Sequence, residues 1–149
     1  MSITSKAKVP VIFLLTSLLV SIASAGQVDA RFDGKWTGVE TFPGLLRYSN
    51  GTFLQRTTVI EISQSGKVLN VLSGFVPGLY PQISPQSGGN TLIFSGGNGF
   101  EGRKSCRLKL STDGNTIEEM GTVVIGVRSP KFPGFTSATV YGTFHRIGK

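Results

Sequence analysis

In two segments of this chain apolar and polar residues alternate clearly, the period of a strand with one buried face. In Arg103–Ser111, Cys106, Leu108 and Leu110 share one side while Arg103, Arg107 and Lys109 share the other. In Thr136–Arg146, Ala138, Val140, Gly142 and Phe144 alternate with Thr139, Tyr141, Thr143 and His145. Further β-branched and aromatic segments are Lys35–Phe42, Thr52–Ser63, Lys67–Val76, Thr91–Ser95 and Thr116–Arg128. The last is apolar on both sides, through Ile117, Val123, Ile125 and Val127 against Met120 and Val124, which predicts cover on both faces.

Turn signals punctuate these segments: Asn50-Gly51, Ser65-Gly66, Gly88-Gly89-Asn90, Gly96-Gly97-Asn98-Gly99, Asp113-Gly114 and Pro130 to Gly134. No stretch carries a capped helical period, and twenty glycines disfavour long helices. The pattern predicts an all-β domain, a small antiparallel up-and-down barrel of about eight strands, with a β-sandwich as the alternative.

The N-terminus reads differently. Lys6 and Lys8 precede an apolar run from Val9 to Val20, and small residues follow through Ala23 and Ala25. That is the build of a cleavable signal peptide, cut after Ala25, with Ala30 as the weaker site. The apolar run falls short of the roughly 20 residues that a spanning helix needs. Residues 1–25 are therefore read as the signal peptide and 26–149 as one domain, secreted or periplasmic, with no membrane anchor after cleavage.

Removing 25 of the 149 residues leaves 124, enough for one core. Two of the fifteen basic residues leave with the signal and none of the eight acids, so the mature charge is +5. Charge this diffuse gives no reason to expect nucleic acid as a partner. Cys106 is the only cysteine, so an internal disulfide is excluded and the core must carry stability alone.

The first strand opens Phe32-Asp33-Gly34-Lys35-Trp36-Thr37-Gly38 and the last ends Gly142-Thr143-Phe144-His145-Arg146. A Gly-x-Trp on the first strand with a late Arg resembles the calycin superfamily of lipocalins, fatty-acid-binding proteins and avidins. The resemblance implies that Trp36 plugs one end of a barrel beneath Arg146, with Gly34, Trp36 and Arg146 serving barrel closure. A large ring under a guanidinium fills that end and gains a cation–π contact.

Candidate chemistry is sparse. His145 is the only histidine, which leaves little for a triad or a multi-histidine metal site. A single haem ligand, as in nitrobindin-like barrels, would need His145 inside, and alternation puts it outside. No cofactor, metal or catalytic residue is expected. Cys106 shares its side with Leu108 and Leu110 and reads as a buried small hydrophobe; Lys104 shares that side too. Glu118 and Glu119 point to opposite faces. Glu40 shares the Trp36 side, either as a rim charge or inward with Arg56 as partner. Arg103, Arg107 and Lys109 form an exterior basic stripe that deters edge pairing. Asn50-Gly51-Thr52 fits an N-glycosylation site but reads equally as a hairpin turn.

Apolar residues in Pro-rich segments need cover, as core caps or as a pocket mouth. Phe75, Leu79, Tyr80 and Ile83, with Phe132 and Phe135 from a second such loop, are the candidate ligand contacts, with Glu40 and Arg56. The expected function is non-catalytic binding of a small apolar molecule. The alternative is a structural or interaction protein of the cell envelope or extracellular space with a filled barrel. Oligomerisation is left open. Interior volume separates the two readings.

Overall fold

Nine antiparallel strands form one sheet that curls into a nearly closed barrel. The computed structural model describes residues 26–47, 53–98, 102–124 and 137–148. The segment read as a signal peptide, the Asn50-Gly51-Thr52 turn, and Phe132 and Phe135 lie outside the described residues.

The strands are β1 (Gly34–Arg47), β2 (Phe53–Ser63), β3 (Val68–Ser73), β4 (Gly78–Tyr80), β5 (Gln82–Ile83), β6 (Thr91–Asn98), β7 (Gly102–Leu110), β8 (Thr116–Val124) and β9 (Ser137–Arg146). Their order is β4-β3-β2-β1-β9-β8-β7-β6-β5. Each hairpin partner is a chain neighbour, and the last strand returns beside the first. This is the up-and-down order.

The seam lies at Pro81. β4 hydrogen-bonds to β3 and β5 to β6, and Pro81 alone separates the two. Proline has no N–H to donate, so the ladder breaks there. β4 and β5 are thus two halves of one stave that changes partner. Counted as one, they make the near-barrel eight-staved, the number expected, although this stave falls in the Pro-rich stretch that reads as a loop and not among the strand segments.

Two local expectations are corrected. The Gly96-Gly97-Asn98 signal is not a turn; β6 runs through it. Gly96 serves close approach instead, since a Cβ there would stand 2.9 Å from the Tyr80 Cα. On β8, Met120 and Val124 are exposed in the single chain, while Ile125 and Val127 lie outside the described residues. β1 does not stop at Phe42 but continues past Pro43 to Arg47, with its pairing to β2 shifted between Phe42 and Arg47.

Strand alternation assembles the core. Trp36 and Phe42 from β1, Ile60 and Ile62 from β2, Leu92 and Phe94 from β6, Leu108 and Leu110 from β7, and Val140 and Phe144 from β9 all point inward and are buried. His145 is exposed, on the outer side. Cys106 is buried, and burial pushes its thiol well above the usual range.

Candidate functional site

One end of the barrel is sealed by residues from both termini of the domain. The Arg146 guanidinium lies over the Trp36 ring, 4.2 Å from its centroid. Trp36 itself donates its indole N–H to the Phe32 carbonyl at 2.9 Å. Arg146 also donates to the carbonyls of Asp33 (2.9 Å), Gly114 (3.3 Å) and Arg31. The Asp33 carboxylate accepts from the backbone N–H groups of Ser65 (2.8 Å) and Gly66 (2.9 Å) in the β2–β3 turn. That turn holds Gln64 and Ser65 at φ of 55° and 58°, a strained region for residues with a Cβ.

Inside the barrel sits a buried ionic cluster. Glu40 of β1, Lys104 of β7 and Glu119 of β8 have side chains at most 2% exposed. The Lys104 ammonium pairs with Oε1 of Glu40 and, at 2.7 Å, with Oε1 of Glu119. The Thr58 hydroxyl donates to Glu40 Oε2 at 3.0 Å. Glu119 Oε2 is buried and has no hydrogen-bond partner.

Register explains how three distant residues meet. Glu40 and Glu119 both pair with Gly142, one from each side of β9. With no side chain at Gly142, the two carboxylates face each other across that strand. Lys104 reaches them from the far side of β8, where it pairs with Val123.

Electrostatics follows from burial. Burial pushes Glu40 up to about 8; Lys104 opposes the rise and Glu119 adds to it. Burial alone would lower Lys104, but the carboxylates of Glu119 and Glu40 outweigh it and hold the amine above its usual range.

The anticipated site residues disperse. Glu40 is interior, but its ionic partner is Lys104, and Arg56 is exposed. Tyr80 is not a rim aromatic: it is fully buried and donates its hydroxyl to the Val76 carbonyl at 2.7 Å. Phe75 is buried too, its ring centroid 4.9 Å from that of Phe42. Leu79 is exposed at 59%, and Ile83 is half-buried. Phe132 and Phe135 lie outside the described residues.

Lys104 and Glu119 were not singled out as a site, although their positions carry a signal. Lys104 has the parity of Cys106, Leu108 and Leu110, and Glu119 that of Ile117 and Val123. Charged residues at inward positions of three separate strands mark an internal cluster.

Outside the barrel, a groove of about 580 Å³ runs beside the sealed end. Val28, Ile83 and Pro85 supply its apolar lining, with Lys67, Ser84 and Ser87 among its polar groups. Among the described residues no group of His, Cys, Asp and Glu could hold a metal ion, and no helix is long and apolar enough to cross a membrane. Comparison with family models, curated proteins and solved structures found no match.

Proposed function

We propose that this chain is exported, loses Met1–Ala25, and works as a non-catalytic interaction protein of the cell envelope or extracellular space. In this reading the barrel is a filled scaffold. The observation that carries it is the interior itself. Among the described residues, Trp36, Phe42, Tyr80, Leu92, Ile117, Val140 and Phe144 are all 0% exposed, as in a packed core. The charged groups inside pair with one another, Lys104 with Glu40 and with Glu119. The stack of Arg146 on Trp36 supports a calycin-like origin for the scaffold.

Of the two cleavage sites, the start of the domain favours Ala25. Val28 bridges to Gly89, Asp29 donates its N–H to the Gly89 carbonyl at 2.8 Å, and Asp29 caps the Ala30–Phe32 turn. A cut after Ala30 would remove all of these; a cut after Ala25 keeps them.

A second reading, binding of a small molecule, is favoured by the 580 Å³ groove, where Ile83, one of the anticipated contacts, lies beside Val28 and Pro85. Native mass spectrometry of the exported protein tests both. A bare chain beginning at Gly26 is expected from the filled scaffold. A co-purifying organic molecule, lost on Ile83→Lys, would transfer the function to the groove. An exported species still carrying Met1 would overturn the cleavage.

A further inference from the structure

We propose that the barrel interior is a single-proton site, in which Glu40 and Glu119 hold one proton between them beside Lys104. It goes beyond the scaffold reading and does not depend on it.

Two separate counts give the same proton. The first is charge. Two carboxylates and one ammonium, all with side chains at most 2% exposed, sum to one negative charge if both acids ionise. An uncompensated buried charge costs several kcal/mol, so the group takes up a proton instead. One proton brings the cluster to neutrality.

The second count is of donors. The cluster has four carboxylate oxygens. Lys104 serves Oε1 of each residue, and Thr58 serves Oε2 of Glu40. Glu119 Oε2 is left buried with no donor. A buried carboxylate oxygen without a partner is rare because it forfeits its hydration. A proton on the pair supplies the one missing hydrogen. Charge and hydrogen bonding are short by the same particle.

No other described group around the cluster supplies the missing charge. From β2, Thr58 is already committed and Arg56 is exposed. From β4, the Tyr80 hydroxyl donates to Val76. From β7, burial and the Glu119 carboxylate keep the Cys106 thiol protonated and neutral. From β9, Gly142 offers no side chain. The proton belongs to the pair rather than to either residue. It joins β1 to β8 across β9, so the barrel gains an acid-tightened latch that loosens as the proton leaves.

Infrared spectroscopy of the folded wild-type protein decides the matter, because a protonated carboxyl has a stretching band that an ionised carboxylate lacks. The expected result at neutral pH is one such band per chain, shifted by selective carbon-13 labelling of glutamate and lost on raising the pH. In Glu40→Gln or Glu119→Gln the remaining carboxylate balances Lys104, so the band should vanish from either variant. No protonated-carboxyl band in the wild type at neutral pH would overturn the proposal. So would a band that persists in both variants. The wild-type spectrum decides even if a variant fails to fold.

Discussion

Arg146, on the last strand, lies over the ring of Trp36, on the first, and the two are directly paired across the β1–β9 ladder. This stack closes the ring and seals one end of it in the same stroke. Trp36→Ala removes a fully buried ring and should cost about 3–5 kcal/mol in denaturant unfolding. Arg146→Ala should cost less, because the guanidinium is partly exposed. The double variant should show coupling of about 1 kcal/mol, and strict additivity would mean that the stack contributes nothing.

Lys104 is the keystone of the interior cluster. Lys104→Met leaves two facing carboxyls without their cation, and should cost about 3–5 kcal/mol. Replacing all three residues, as Glu40→Gln with Lys104→Met and Glu119→Gln, should recover much of that loss, since no unpaired charge remains. Chemical denaturation of the two variants checks the order. A triple variant no more stable than Lys104→Met would show that the loss is one of packing.

Asp33 holds a turn that would otherwise be strained. Its carboxylate accepts two backbone N–H groups from a segment at positive φ. Asp33→Ala should cost about 1.5–3 kcal/mol, in the range for hydrogen bonds to a charged group. Amide hydrogen exchange should quicken first at Ser65 and Gly66. Unchanged exchange there would remove Asp33 as the anchor.

Stability should depend on pH with a defined sign. Burial pushes Glu40 up to about 8 in the folded chain, against an ordinary value of 4.5. The folded state then binds more protons than the unfolded one between those values. Its contribution is fully present below about 4.5 and is lost as pH rises through about 8. Asp29 works the other way: its hydrogen bonds from Arg31 lower it to about 2, so its contribution fades as pH falls from 3.8 through 2. The unfolding midpoint should therefore peak in mildly acidic solution and decline toward pH 8. Glu40→Gln should flatten the alkaline limb, and a limb left unchanged would place the titration elsewhere.

The chain's alternation was enough to determine the class of fold and the sidedness of most strands. Cys106, Leu108 and Leu110 read as inward, and His145 as outward, because the strand period is two and leaves no other choice once one face is apolar. Glycine signals were less specific. Gly96 looked like a turn because a missing Cβ suits a turn, but it equally suits a strand against which Tyr80 must pack closely. Prolines misled in the same way: Pro77, Pro81 and Pro85 suggested a loop, whereas Gly78–Tyr80 and Gln82–Ile83 pair with different neighbours across Pro81.

Only the tertiary structure decided what Glu40 meets. Alternation turned Glu40, Lys104 and Glu119 inward, but which inward residues touch depends on register and on the order of strands around the ring. Those are set by long-range pairing, which no local pattern encodes. Gly142 is the clearest case: in the sequence it is one more glycine, and in the barrel it is the gap across which two carboxylates come face to face.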